Sequence, residues 1–236
     1  MKYRPKVIET STHAPTGVTP APKPSTEGKM NKYIVELIGT FFLVLTVGCT
    51  VIAPGAGDLA PLAIGASLMV MIFAGGHISG GHYNPAVTLG VWMRGKCDTK
   101  DIVPYWVAQL VGALLAAVIV KFFKGGAAIP PANPPVLAAL LAEFLFTFAL
   151  VYVVLNTATA KGTEGNSFYG LAIGMTVMTG AFAVGNISGA AFNPAVALGI
   201  SIMGLSAWTN IWIFWVSELI AGAAAAAVFK AVNPAE

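Results

Sequence analysis

Charge is scarce in this chain: only 10% of its 236 residues are Asp, Glu, Lys or Arg, against about a quarter in a typical soluble domain. The two cysteines, Cys49 and Cys97, do not fit a disulfide framework or a metal site, and we expect free thiols. The net charge of +3 is too small and too dispersed for nucleic-acid binding. The sequence shows no nucleophile with a paired base, so we expect no enzymatic activity and no cofactor.

The chain is rich in long apolar segments. Hydrophobic residues make up 56% of it and the mean hydropathy is +0.77, which predicts an integral membrane protein. Six segments approach the roughly 20 residues that a membrane-spanning helix requires, and they are 31–53, 61–78, 102–123, 135–156, 167–185 and 208–230. Two further segments, 84–93 and 193–203, are too short to span and are predicted to be re-entrant half-helices.

The two ends of the chain differ from this membrane domain. Residues 1–30 are rich in Pro, Ser, Thr and Lys, which predicts a disordered tail. This tail has no apolar core of the kind found in a secretory signal. A solvated extension and a partner-binding or regulatory tail both fit its composition. Residues 231–236 are predicted to be a short C-terminal tail.

An internal repeat relates the two halves of the membrane domain, about 31–124 and 135–230. The block from His77 to Gly90 realigns with the block from Asn186 to Gly199, and each contains Asn-Pro-Ala. The two asparagines are 109 positions apart, and the same offset pairs Ile64-Gly65 with Ile173-Gly174, Trp106 with Trp215, and Gln109 with Glu218. In the first span of each half, Glu36 and Glu143 are 107 positions apart.

The number of spans in each half gives the repeat its geometry. Three is odd, so the second half enters the membrane in the opposite orientation. The two short segments therefore enter from opposite faces and meet near the midplane. This arrangement predicts a pore.

Six spans, an inverted repeat and two Asn-Pro-Ala half-helices resemble the aquaporin (major intrinsic protein) family over residues 31–230. The resemblance implies an all-α membrane protein with six transmembrane helices and two re-entrant half-helices. It also implies a homotetramer in the lipid bilayer, in which each subunit conducts water or small neutral solutes passively. A third Asn-Pro-Ala, at 233–235, lies outside the repeat and is assigned no role.

The chemistry of the two motifs, Asn84-Pro85-Ala86 and Asn193-Pro194-Ala195, follows from helix ends. Asn is favoured at the N-cap and Pro in the first turn. The resemblance implies that the asparagine amides point into the pore and donate hydrogen bonds to water. Two converging helix N-termini concentrate positive potential, which orients water and repels cations, a mechanism already described for aquaporin-type pores.

The loops before the half-helices are predicted to line the pore with backbone carbonyls, although ordinary flexible turns are the alternative. The residues concerned are Gly80, Gly81, His82, Gly189 and Ala191. His77 and His82 are predicted to brace the first loop, with pH gating as the alternative.

Four buried polar residues are expected to support these loops. The resemblance implies that Glu36 and Glu143 hold the loops through backbone N–H groups, and a proton relay is the alternative. Gln109 and Glu218 are predicted to be buried hydrogen-bonding positions, although the family usually has an apolar residue or proline where Glu218 stands.

Coupled transport is the competing function. No cluster of carboxylates is apparent near the half-helices, which argues against it.

The resemblance fails at the selectivity filter. The family usually has an arginine directly after the second Asn-Pro-Ala, and this chain has Val196. The other filter positions fall on Ile64, Ala181 and Ala190. Ala190 and Val196 resemble the vacuolar plant branch, but that branch has a histidine where Ile64 stands.

Because guanidinium supplies donors, charge and bulk, we expect a wider, more apolar pore. The candidate permeants are water, glycerol, urea, ammonia, hydrogen peroxide and dissolved gases. There are two alternatives. Other groups could fill the space left by the arginine and keep the pore strictly water-selective, or the apolar ring of the filter could exclude water and stay closed.

The basic residues predict the topology. With six spans both termini lie on one side, together with Arg94, Lys96, Lys100, Lys161 and Lys230, while Lys121 and Lys124 lie opposite. The positive-inside rule makes the first side cytoplasmic. We expect the protein in the plasma (inner) membrane.

Overall fold

A computed structural model of the chain describes residues 26–125 and 130–236. The α-helices in these ranges are α1 (Thr26–Val51), α2 (Ala60–Ser79), α3 (Pro85–Met93), α4 (Thr99–Phe123), α5 (Val136–Val154), α6 (Tyr169–Ser188), α7 (Pro194–Met203) and α8 (Ile211–Val232). A π-helical turn, Leu155–Thr159, prolongs α5. The predicted all-α fold is confirmed.

Six of these helices are long and apolar enough to cross a membrane, and the predicted number of spans is confirmed. Their outward faces carry exposed large apolar side chains, among them Leu114, Val118 and Leu141. In water such faces would be unstable, whereas in a bilayer they match the hydrocarbon.

The ends of the membrane domain differ from the predicted boundaries. Helix α1 begins at Thr26, so residues 26–30, predicted as tail, are helical, and residues 1–25 lie outside the described residues. Helix α8 ends at Val232, so the predicted C-terminal tail begins inside the helix. In both places the helix continues beyond the apolar pattern.

The two short helices, α3 and α7, join the halves of the domain. Helix α3 belongs to the first half but packs against α8, and α7 belongs to the second half but packs against α4. Because each half-helix is held by the last span of the other half, neither half completes its packing alone.

Glycines set the crossing of α2 and α6. A Cβ atom on Gly65 would lie 2.6 Å from the Gly174 carbonyl oxygen, and a Cβ on Gly174 would lie 2.5 Å from that of Gly65. Equivalent residues of the two halves therefore meet at this crossing, as expected on the axis of an inverted repeat. Only residues without a side chain allow the backbones to approach this closely.

Contacts between polar residues show which helix ends share a face. Lys32 pairs with Asp101, Arg94 pairs with Glu236 at 2.6 Å, and the Lys161 backbone N–H donates to Glu236. These contacts place the start of α1 and the end of α8 on one face of the bundle. The ends thus lie together, as an even number of spans requires.

The α2–α6 crossing generates a stability prediction. Replacing Gly65 with Leu should force the helices apart, at a cost of about 1–3 kcal/mol or more for overpacking. We expect the detergent-solubilised variant to aggregate at a clearly lower temperature than the wild type. Gly162→Leu is the matched control, because in the described part of the chain no atom beyond its two chain neighbours lies within 4 Å of a Cβ at that position. Equal aggregation temperatures for the two variants would contradict the close crossing.

Candidate pore and selectivity site

The asparagines of the two motifs are the N-caps of the half-helices. The Asn84 Oδ1 atom accepts a hydrogen bond from the Ala86 N–H at 2.8 Å, and the Asn193 Oδ1 atom accepts one from the Ala195 N–H at 2.9 Å. Pro85 and Pro194 occupy the first helical position, where a missing N–H costs nothing. The extended backbone of each asparagine turns the chain from loop into helix.

The asparagine amides also tie the two loops to each other. The Asn84 Nδ2 atom donates to the Phe192 carbonyl at 2.8 Å, and the Asn193 Nδ2 atom donates to the Tyr83 carbonyl at 2.8 Å. Tyr83 and Phe192 share a left-handed backbone conformation, with φ of 49° at each. Since a primary amide carries two N–H donors, one donor of each asparagine remains for the cavity that both side chains line.

A buried carboxylate supports the first loop. Glu36 is fully buried and accepts hydrogen bonds from the backbone N–H groups of His82 at 2.9 Å and Tyr83 at 2.6 Å. Ser79 and Gln109 complete the set at 2.7 Å and 2.8 Å. All four bonds go to one carboxylate, which fixes the loop to α1.

The second loop is supported in the same way. Glu143 accepts from the backbone N–H groups of Ala191 at 3.1 Å and Phe192 at 2.7 Å, and Glu218 accepts from that of Asn193 at 2.9 Å. Three consecutive N–H groups of the loop therefore end on two carboxyl groups.

One expectation from the sequence is wrong here. Glu143 and Glu218 form a carboxyl pair beside the second half-helix, where no cluster of carboxylates was apparent. Their carboxyl groups are neighbours because they accept successive N–H groups of the loop, those of Phe192 and Asn193, and because α5 and α8 pack side by side. Neither residue lines the cavity between the half-helices, so the pair does not offer a solute-facing ion site.

The cavity between the half-helices is small, and its wall has the symmetry of the internal repeat. It offers about 20 Å³ to the centres of water-sized molecules, and every residue of its wall has its repeat partner in the same wall. The pairs are Leu43 and Leu150, Val47 and Val154, Ile64 and Ile173, Leu68 and Val177, Gly81 and Ala190, His82 and Ala191, Asn84 and Asn193, and Val87 and Val196.

Comparison with known proteins assigns the chain to a family. The family model described as Major intrinsic protein matches residues 30–229. The chain belongs to the major intrinsic protein family. It is therefore a membrane protein of a channel-forming family.

Relatives of known sequence and structure agree with this assignment. Aquaporin TIP1-1 of Arabidopsis thaliana is 39% identical over 176 residues, covering 72% of this chain and 70% of that protein. Aquaporin Z of Brucella melitensis is 31% identical over 223 residues, covering 85% and 97%. The X-ray structure of the aquaglyceroporin from Plasmodium falciparum superimposes with a TM-score of 0.69 at 24% identity, covering 87% of this chain and 95% of that one, which shows the same fold.

The predicted filter residues of this major intrinsic protein are only partly brought together. Ile64, Ala190 and Val196 line the cavity, and Ala181 does not. On α6 the lining residues are Ile173 and Val177. Ala181 lies one turn further along the same helical face and is partly exposed.

The loop residues divide between the cavity and its mouths. Gly81, His82 and Ala191 line the cavity, whereas Gly80 and Gly189 are exposed. Gly80, His77 and His82 line a vestibule that offers about 940 Å³ to the centres of water-sized molecules. His82 contacts Thr88 through its Nδ1 atom at 3.2 Å, which braces the loop against α3.

The sequence-based prediction missed several residues of the cavity wall, although the internal repeat indicates some of them. Leu43 and Leu150, like Val47 and Val154, are separated by the offset of 107 that relates the first spans. Ile173 is the repeat partner of Ile64. The offset of 109 leads from the filter positions Ile64, Ala190 and Val196 to Ile173, Gly81 and Val87, which line the wall. No filter position leads to Leu43 or Val47.

The loop supports generate a second prediction. Replacing Glu36 with Leu leaves four buried donors without an acceptor, and each unsatisfied donor costs about 1–3 kcal/mol. We expect the variant to lose most of its folded yield and water permeability. Yield and osmotic shrinkage of proteoliposomes measure this. Glu164→Leu, at an exposed position, is the control, and a Glu36 variant that behaves like it would refute the supporting role.

Proposed function

We propose that this chain is a passive channel for water and small uncharged solutes, and that its filter is apolar. The observation that carries the proposal is the wall of the cavity between the half-helices. Among its described residues only His82, Asn84 and Asn193 have polar side chains, and the rest are aliphatic or glycine. Val196, where the family usually has arginine, is 4% exposed and faces this wall with its partner Val87.

The two asparagines supply the selectivity against ions. Each is held in place by its own half-helix and by the opposite loop, and each has one N–H left for a solute. A water between them accepts hydrogen bonds from both sides, so it cannot readily pass a proton along. The N-termini of α3 and α7 add positive potential at the same point, which repels cations.

The size of the cavity ranks the candidate permeants by how easily they fit. About 20 Å³ is room for one water, since a water requires roughly 10–15 Å³ by this measure. Water and ammonia fit this volume, whereas urea and glycerol are larger than it and require the aliphatic side chains of the wall to move apart. Aliphatic side chains occupy part of the space between the half-helices. The wider pore that we expect from the loss of the arginine therefore stays a prediction.

The same small cavity favours a second candidate, a strictly water-selective channel. The two proposals differ in the permeability to urea, glycerol, ammonia and hydrogen peroxide relative to water. A channel closed to all of them, kept for a structural role, is the least favoured candidate. In proteoliposomes, linear and non-saturating flux without a driving ion gradient supports a channel over a coupled transporter.

The filter generates a third prediction. Val196→Arg should lower urea and glycerol permeability at least several-fold, because guanidinium adds bulk and charge to the wall. Stopped-flow swelling of proteoliposomes measures both solutes and water. Val196→Met adds length without charge, so it separates the steric part of the effect. Unchanged urea and glycerol permeability in the arginine variant would end the apolar-filter proposal.

We also propose the orientation and assembly. The face that holds the start of α1 and the end of α8 also holds Lys32, Arg94 and Lys161, and the positive-inside rule makes this face cytoplasmic. The plasma (inner) membrane and a homotetramer remain our expectation. The apolar outer faces suit contact with lipid and with neighbouring subunits.

The orientation generates a fourth prediction. A fluorescent protein that matures only in the cytoplasm, fused after Glu236, should fluoresce in intact cells. The matched control places the same fusion after residue 125, on the opposite face, where it should stay dark. The reverse pattern would invert the topology.

A further inference from the structure

Glu218 differs from its repeat partner in one chemical respect. In the first half, Gln109 donates from its Nε2 atom to the Glu36 carboxylate at 2.8 Å. In the second half, Glu218 occupies the equivalent position beside Glu143, the equivalent of Glu36, and the two carboxyl groups accept the successive N–H groups of Asn193 and Phe192. A glutamine amide always has a hydrogen to donate, but a carboxyl group donates only when it carries a proton.

The contacts of Glu218 show where that proton would lie. Its Oε1 atom accepts from the Asn193 N–H at 2.9 Å. Its Oε2 atom is buried and has no donor partner among the described residues. Glu143 is fully buried and already accepts two backbone N–H groups, so it acts as the acceptor. A proton on Glu218 Oε2 would reproduce the hydrogen bond that Gln109 makes to Glu36.

Among the residues that the structure describes, the helices packed on α8 carry no cation that would neutralise the pair. The described helices that pack on α8 are α5, α3 and α7, together with the short turns Leu155–Thr159 and Trp208–Asn210, which contain no ionisable residue. The ionisable residues of α5 are Glu143 and Tyr152, and α3 and α7 have none. On α8 itself the other ionisable residue is Lys230, three turns away. Two adjacent buried carboxylates without a cation cannot both stay ionised.

We propose that Glu218 is a protonated positioning residue, which holds the second Asn-Pro-Ala segment through the Asn193 N–H and shares one proton with Glu143. Loss of this proton at alkaline pH places two negative charges behind the start of α7. Their repulsion displaces the loop from Ala191 to Asn193, and the added charge opposes the positive potential of the helix N-terminus. Permeability is then pH-dependent, through a group that does not touch the solute.

Infrared spectroscopy tests the proton directly. At neutral pH the wild type in lipid should show the C=O stretching band of a protonated, buried carboxylic acid. The band should be missing from Glu218→Gln, and a second band should be gained in Gln109→Glu, which builds the same pair in the first half. A wild-type spectrum without this band at neutral pH, or a band unchanged by Glu218→Gln, overturns the proposal.

The pH profile tests the positioning role, and this arm alone depends on the proposed channel function. Between about pH 7 and pH 10, where buried carboxylic acids lose their proton, wild-type water permeability should fall reversibly by about twofold or more. Glu218→Gln should have a flat profile relative to its own value at neutral pH. The double variant Glu218→Gln with Gln109→Glu should regain the slope.

The outcomes of the two arms can be told apart. A flat wild-type profile, or the same slope in Glu218→Gln as in the wild type, overturns the positioning role. A protein that shows the infrared band but conducts no water at any pH refutes the proposed function and leaves the proton assignment standing.

Discussion

The structure depends on one constraint: the non-helical backbone of two loops lies at membrane depth, where no bulk water can satisfy its N–H groups. In each half a buried glutamate meets this requirement. Glu36 and Glu143 accept consecutive N–H groups of the loop that precedes each half-helix. Because these carboxylates hold the loops, the asparagines can cap α3 and α7 and reach the opposite loop. The pore follows from that arrangement.

The two halves meet the same constraint with different chemistry. The first half completes its glutamate with a glutamine, one hydroxyl group and two backbone N–H groups, and these four donors satisfy Glu36. The second half uses Glu218, which adds an acceptor for the third N–H of the loop but needs a proton to meet Glu143. An architecture with nearly symmetric backbone thus has an asymmetric charge requirement. This difference is the physical basis for a pH response located in one half only.

The filter shows the opposite tendency, towards symmetry. An arginine after the second Asn-Pro-Ala makes the outer mouth of the pore unlike the inner one, whereas Val196 matches Val87 across the axis. The wall therefore has no fixed charge among the described residues that line it. In the channel that we propose, discrimination rests on size, on the desolvation of the solute and on the asparagine donors. Small neutral molecules that lose little on leaving water should pass most easily.

Hydropathy, the repeat and the two Asn-Pro-Ala motifs determined the six spans, the half-helices, their inverted relation and the family, because these features depend on local composition and periodicity. Sequence also located Glu36, Glu143, Gln109 and Glu218 as buried polar positions. Only the tertiary structure decided that Glu143 and Glu218 share one site, that Ala181 lies outside the cavity wall, and that Leu43 and Val47 line it. Those facts depend on how α5, α6 and α8 pack and rotate, and helix rotation is set by contacts between residues far apart in the chain.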